Sequence, residues 1–164
     1  MTPEEFLIYE AQHDDTLFNF VDGKIVAVEA TVQRGRIAAE FIYAFSIYLR
    51  ENPKGKGYGR VLHVLGGKMY QPDVCIQMHS TEDYFTAPPL VAVEIRTEPL
   101  TKPAQRRKAQ AYIENGVKMS IVVFPGEWLE VHRPNREPLT LSYGDVLDGD
   151  DVLPGFKAEV SELL

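Results

Sequence analysis

The sequence predicts a mixed α/β (α+β) fold, a mixed β-sheet flanked by helices, and three observations predict it. Apolar residues recur at helical spacing through residues 32–51, which indicates the longest helix of the chain. Residues 90–96 are apolar enough for a strand in the middle of a sheet. A helical pattern at residues 101–115 separates that strand from another at 117–124, and this order allows a parallel crossover.

Boundary signals support the elements near the N-terminus. Thr2 is suited to cap a helix that begins at Pro3 and continues with two glutamates. Residues 16–28 are typical of a β-hairpin with its turn at Asp22-Gly23.

The remaining chain is expected to consist mainly of strands. Within the helix at 101–115, Pro103 suits the first turn, and Gly116 suits the C-terminal stop. An acidic loop is expected at residues 145–151. Further strands are predicted at residues 59–65, 72–78, 128–132 and 139–143.

Composition predicts one globular domain spanning residues 1–164, because 45% of the residues are hydrophobic and 25% are charged. The acidic N-terminus lacks a signal-peptide pattern, and no apolar run approaches the roughly 20 residues of a membrane span, so a cytoplasmic location is expected. The single Cys75 excludes an internal disulfide and a thiolate zinc site. A net charge of -7 argues against a protein that coats DNA through its phosphates, although a local basic strip beside an acidic site is compatible with it.

Glu94 interrupts an otherwise apolar strand, where an unpaired carboxylate would be costly. It therefore needs a metal or a cationic partner, and Arg96 is the neighbouring candidate. Asp73 alone would be an ordinary strand-edge aspartate, but if its strand neighbours that of Glu94 with the faces aligned, the two carboxylates converge. One or two carboxylates with water and phosphate oxygens suit Mg²⁺, so the pair predicts a site for Mg²⁺ or Mn²⁺.

If such a metal site acts on a phosphate ester, a cation is also needed near the charge that develops on the phosphate. Arg96 shares the strand face of Glu94, and Lys108 borders the buried stripe of the following helix. Arg106 and Arg107 are interpreted as solvated or phosphate-contacting charges, and a solvated helix face would also explain the run Arg106-Arg107-Lys108 as a group.

Other reactive side chains lack the spacing of a site. Gly66-Gly67 indicates a turn, since no Gly-Lys-Ser/Thr follows it to make a phosphate loop. The histidines are interpreted as structural or surface residues, and they are His13, His63, His79 and His132.

The order of several short motifs resembles the Uma-two family of restriction endonucleases, which is assigned to the PD-(D/E)XK nuclease superfamily. The resemblance covers nearly the whole chain and implies a restriction-endonuclease-like core with metal-dependent phosphodiester hydrolysis. It implies that Asp73 and Glu94 are metal ligands and that Lys108 is the lysine that has moved from strand to helix. The motifs are Asp22-Gly23, Pro72-Asp73-Val74, Val93-Glu94-Ile95, Lys108 with Tyr112 and Gly116-Val117, and Leu153-Pro154-Gly155-Phe156.

The leading hypothesis is therefore an Mg²⁺- or Mn²⁺-dependent endonuclease acting on DNA, as a homodimer or higher homo-oligomer because cutting both strands requires two sites. The rival is a catalytically degenerate binding or regulatory module on the same fold. The acidic net charge motivates this rival, as do departures from the family pattern at Asn19, Arg34 and Ala104. A hydrolase acting on a small phosphorylated substrate is a third possibility.

Overall fold

A computed structural model describes residues 1–78, 82–98 and 100–164, so His79 lies outside the described residues. The helices are α1 (Pro3–Gln12), α2 (Val32–Glu51), α3 (Lys102–Glu114) and α4 (Val160–Leu163). The strands are β1 (Leu17–Val21), β2 (Lys24–Val28), β3 (Lys56–Tyr58), β4 (His63–Leu65), β5 (Lys68–Tyr70), β6 (Val74–Gln77), β7 (Val91–Ile95), β8 (Met119–Phe124), β9 (Trp128–His132), β10 (Leu139–Leu141), β11 (Val146–Asp148) and β12 (Lys157–Glu159).

A six-stranded mixed sheet lies at the centre, in the order β10-β9-β8-β7-β6-β3. Strands β7 and β8 are parallel to each other. The other four pairs of neighbouring strands in this sheet are antiparallel. Helix α3 connects β7 to β8, which is the crossover that the sequence predicts. Three two-stranded ladders accompany this sheet: β1 with β2, β4 with β5, and β11 with β12.

Helix α2 covers one face of the sheet. Its buried side chains Ile37, Phe41 and Phe45 belong to one hydrophobic cluster with Val93 of β7 and Ile121 of β8. These residues supply the main core, as expected for an amphipathic helix laid on a sheet.

Helix α3 covers the opposite face. Tyr112 clusters with Ala92 of β7, and Ala109 clusters with Val122 of β8. Because successive side chains of a strand point to opposite faces, Glu94 lies on the same face as Ala92, under α3.

The predicted turn and capping signals are confirmed. The Thr2 hydroxyl accepts a hydrogen bond from the Glu5 N–H (3.2 Å), and the Glu5 carboxylate accepts one from the Thr2 N–H (2.7 Å), which completes a capping box. Asp22 and Gly23 adopt positive φ angles of 48° and 80°, which the tight turn between β1 and β2 requires.

The predicted strand at residues 59–65 is confirmed only over residues 63–65, which form β4. Strand β3 ends at Tyr58 and pairs with β6, whereas β4 begins at His63 and pairs with β5. Between them the Arg60 guanidinium donates to the carbonyl oxygen of Phe18 in β1. Residues 59–62 form no strand, and a local apolar pattern does not record a contact such as that of Arg60 with the distant β1.

The acidic segment 145–151 is also more ordered than expected. Residues 146–148 form β11, which pairs antiparallel with β12. Leu147 is 1% exposed and joins the core beneath α2, so one buried side chain anchors a strand whose other two residues, Val146 and Asp148, are exposed. None of the helices in the described part of the chain combines the length and apolarity of a membrane span.

Helix α3 depends on its N-cap, because the Thr101 hydroxyl accepts a hydrogen bond from the Ala104 N–H (3.2 Å). Thr101→Ala is expected to lower the free energy of unfolding by about 1 kcal/mol, since an orphan N–H of the first turn loses its partner. Urea denaturation monitored by circular dichroism measures this change. Thr101→Ser keeps the cap and should unfold close to the wild type. Equal losses in both variants would show that the methyl group, and not the cap, matters.

Candidate functional site

Two buried carboxylates lie side by side where β6 begins and β7 ends. The N–H of Asp73 donates to the carbonyl oxygen of Val93 (2.9 Å), and the N–H of Ile95 donates to Oδ2 of Asp73 (2.7 Å). Asp73 therefore lies opposite Glu94, one position beyond the pairing of Val74 with Val93. The two residues are 7% and 4% exposed, on the face that α3 covers.

Helix α3 supplies the partners of Glu94. Lys108 and Tyr112 are four residues apart and share a helix face. Nζ of Lys108 lies 2.8 Å from Oε1 of Glu94, and the Tyr112 hydroxyl donates to the same oxygen (2.7 Å). Within residues 1–78, 82–98 and 100–164, Oε2 of Glu94 takes part in no hydrogen bond. Glu94 thus pairs with a cation from the helix above it, and not with Arg96.

The surroundings of Glu94 act on its pKa in opposite directions. Burial raises the pKa of Glu94, Lys108 lowers it, and the adjacent Asp73 carboxylate raises it again, with a net increase. Burial and the Glu94 carboxylate raise the pKa of Tyr112 well above its usual value, so the phenol remains a proton donor. A cation placed between the carboxylates would favour ionised Glu94.

Arg34 is the partner of Asp73. It lies in the first turn of α2 and is 8% exposed. Its Nη2 donates to Oδ1 of Asp73, and its Nη1 donates to the carbonyl oxygen of Glu29 (3.2 Å). Sequence reasoning noted Arg34 only as a departure from the family pattern. A signal was available, because Arg34 precedes the buried Ile37 by three residues and continues the apolar stripe of α2.

Arg60 links the site to α1 and β1. Its Nη2 donates to Oε1 of Gln71 (2.7 Å) and to Oδ1 of Asn19 (2.9 Å), and Nε2 of Gln71 donates to Glu10 (3.0 Å). A cavity of about 20 Å³ borders Asn19, Gln71 and Lys108, which is room for one water molecule. Sequence reasoning did not identify Arg60, because its partners come from distant parts of the chain.

The charges of the site also affect the pKa of Arg60. Burial lowers the pKa of Arg60 and the Arg34 guanidinium lowers it further, whereas the carboxylates Asp73, Glu10 and Glu94 raise it. The two carboxylates of the site are therefore surrounded by three cations: Arg34, Arg60 and Lys108.

The other basic candidates lie elsewhere. Arg96 donates through Nε to the carbonyl oxygen of Leu100 (2.7 Å) and through Nη2 to Oε1 of Glu98 (2.7 Å). Arg106 makes a bidentate ion pair with Glu130, the shorter contact being 2.6 Å. The structure therefore brings Lys108 to the carboxylates and leaves Arg96 paired with the segment that follows β7.

The donor set fits a divalent cation held by few protein ligands. Two adjacent carboxylates provide hard oxygen donors, and Oε2 of Glu94 is free to coordinate. In the described part of the chain, no group of three or more His, Cys, Asp or Glu side chains could hold a metal ion. Asp73 and Glu94 would hold the cation, and water and substrate oxygens would complete its shell, as Mg²⁺ prefers.

The mixed sheet, the crossover helix and the buried carboxylate pair define a restriction-endonuclease-like α+β protein. The Uma2 family model, described as "Putative restriction endonuclease", matches residues 3–161, and the chain belongs to this family. The fold is similar to the crystal structure of a protein from Anabaena variabilis described as "a putative nuclease belonging to DUF820". The TM-score is 0.80 at 13% sequence identity, over 91% of this chain and 90% of that chain. No curated protein matches the sequence.

The raised pKa of Glu94 predicts a pH dependence of stability. A carboxyl group with a higher pKa in the folded protein binds its proton more tightly there, so stability falls as pH rises from the unfolded pKa towards the folded one. In EDTA, the free energy of unfolding of the wild type relative to Glu94→Gln is therefore expected to decrease with rising pH from 4 upwards. Urea denaturation at a series of pH values measures this difference.

Glu130 is the matched control, since it is equally buried but has the opposite shift. Burial raises its pKa, but hydrogen bonds from Arg106 and Trp128 lower it by more, so the net shift is downward. The wild type relative to Glu130→Gln should lose stability as pH falls through the lowered pKa. If the free energy of unfolding relative to both variants changed in the same direction with pH, the environment assigned to Glu94 would be contradicted.

Proposed function

We propose that this protein hydrolyses phosphodiester bonds of DNA, with a divalent cation, Mg²⁺ or Mn²⁺, held by Asp73 and Glu94. The observation that carries the proposal is the pairing of two buried carboxylates on adjacent strands, with Lys108 beside them and Oε2 of Glu94 free. Family membership supports phosphodiester chemistry, because the family is described as "Putative restriction endonuclease".

The chain's own residues prepare this chemistry. The Ile95 N–H orients Asp73, and the Tyr112 hydroxyl orients Glu94 while leaving Oε2 open. When bound, a divalent cation supplies an activated water and stabilises charge on the phosphate. Lys108, whose side chain is 22% exposed, can reach from Glu94 to a phosphate oxygen at the surface of the site and stabilise the developing charge.

The proposal extends to the domain, the cellular location, the oligomeric state and the partner. We propose one domain over residues 1–164, acting in the cytoplasm as a homodimer or higher homo-oligomer, since two sites are required to cut both strands. DNA is the proposed partner. Because the protein has a net charge of -7, the phosphate backbone of DNA would have to contact local basic groups on its surface.

The alternative is a binding or regulatory module that has lost catalysis. The observation that favours it is the pairing of Asp73 with Arg34 and of Glu94 with Lys108, which neutralises both carboxylates without a metal. Such a module would keep the fold and show no metal-dependent cleavage.

Metal binding should be visible as stabilisation. A ligand present at 100 times its Kd stabilises the native state by about 2.7 kcal/mol, which for a chain of this size raises the Tm by about 5–10 °C. The Tm of the wild type is therefore expected to be higher in Mn²⁺ than in EDTA. The Tm of the double variant Asp73→Ala/Glu94→Ala should be the same in both. Differential scanning fluorimetry measures both. Glu137→Ala/Glu159→Ala removes two exposed carboxylates instead and should respond as the wild type does. An equal rise in all three proteins would place the metal elsewhere.

Cleavage should depend on Lys108 as well as on the carboxylates. Lys108→Met is expected to slow plasmid nicking in Mn²⁺ by about 100-fold, since one preorganised charge contact to the reacting oxygens is lost. Arg107→Met removes an exposed charge from the adjacent position of α3 and should retain the wild-type rate. Glu94→Ala should abolish nicking, and a folded Glu94→Ala protein that cuts at the wild-type rate would refute the assignment. Mn²⁺ binding without nicking by the wild type would favour the binding module.

A further inference from the structure

We propose that Arg34 is an internal cation that competes with the divalent metal for Asp73 and so sets the metal affinity of the site. The inference rests on the proposed function, because it presumes that Asp73 and Glu94 can hold a metal. It concerns a residue that the proposed reaction does not use.

The contacts of Asp73 leave little room for a second cation. Oδ1 accepts the Arg34 guanidinium and Oδ2 accepts the Ile95 N–H, so each oxygen already has a donor. The side chains of Arg34 and Asp73 are only 10% and 5% exposed. A divalent ion on Oδ1 would lie next to a buried guanidinium, and water screens repulsion between such charges weakly at this depth.

The two carboxylates differ in this respect. Lys108 and Tyr112 both contact Oε1 of Glu94, which leaves Oε2 open, and the Lys108 side chain is 22% exposed. A cation on Oε2 of Glu94 would therefore displace no hydrogen-bond partner. Coordination by both carboxylates would bring the cation against the Arg34 guanidinium on Oδ1 of Asp73, so the competition is confined to this one ion pair.

Arg34 can leave without unfolding α2. Its backbone N–H is held by the Thr31 hydroxyl (3.1 Å), which keeps the helix start in place whatever the side chain does. Its Nη1 already contacts the carbonyl oxygen of Glu29, an exposed residue of the connection between β2 and α2. The side chain therefore has a second anchor on the solvent side to which it can move when a metal binds.

The test is direct titration with Mn²⁺, counting bound ions by the loss of the electron paramagnetic resonance signal of free Mn²⁺. Arg34→Gln is expected to lower the apparent Kd by about tenfold or more, the lower end of the range for one charge-assisted hydrogen bond. Arg34→Lys keeps the charge and should stay near the wild type. Arg36→Gln removes an exposed charge two residues along the same helix and should also leave the Kd unchanged.

The outcomes separate this inference from the proposed function. The inference is supported if Arg34→Gln binds Mn²⁺ more tightly than the wild type and the two other variants do not. If Arg34→Gln binds Mn²⁺ and the wild type does not bind it at all, Arg34 excludes the metal completely. Equal affinities in the wild type and Arg34→Gln would overturn the inference and leave the metal site intact. Binding by neither protein would overturn both. If Arg36→Gln gained as much Mn²⁺ affinity as Arg34→Gln, the effect would come from the loss of any positive charge on the helix. This result would also overturn the inference.

A second measurement follows the wild type itself and needs a variant only to assign one resonance. The side-chain Nε–H resonance of Arg34 is identified by its absence from the spectrum of Arg34→Lys and is followed during titration with Mg²⁺. The resonance should shift in parallel with metal occupancy, whereas the Arg36 resonance should not. A constant Arg34 resonance at full occupancy would show that the guanidinium stays on Asp73.

Discussion

The site depends on the antiparallel pairing of β6 with β7. Two hydrogen bonds, from the Asp73 N–H to Val93 and from the Ile95 N–H to the Asp73 side chain, place Asp73 opposite Glu94. A shift of one residue in this register would turn one of the two carboxylates to the face covered by α2, into the apolar core. The position of the functional groups is thus a property of the sheet, and the helices on its two faces supply the cations.

Charge compensation is the second constraint. Buried carboxylates are costly unless they are paired, and here each has a cation from a different helix: Arg34 from α2 and Lys108 from α3. Burial lowers the pKa of Arg60, and the charges of both acids offset part of that decrease. The same contacts that make the site stable without a metal also determine what a metal must displace. If Asp73 holds a metal as proposed, stability and metal affinity are opposed there, a conflict that active sites commonly show.

Local patterns predicted much of the fold. The capping box at Thr2, the turn at Asp22-Gly23 and the apolar stripe of α2 are set by residues close in sequence, and all three were predictable. The segment at 59–65 was predictable only at its end, because residues 63–65 form β4 whereas residues 59–62 form no strand. The Arg60 side chain contacts Phe18 in a distant part of the chain, and a local apolar pattern does not record such a contact.

The sequence by itself determined that Glu94 lies in an apolar strand and needs a partner, since the cost of a buried unpaired charge is independent of the fold. It also indicated Asp73 and Lys108 as candidates. Only the tertiary structure decided which cation meets which acid. Arg34 reaches Asp73 across 39 positions of sequence, whereas Arg96, two positions from Glu94, turns to Glu98 and Leu100. Helix packing decides these pairs, because contact between side chains depends on how α2 and α3 lie on the sheet and not on their separation in sequence.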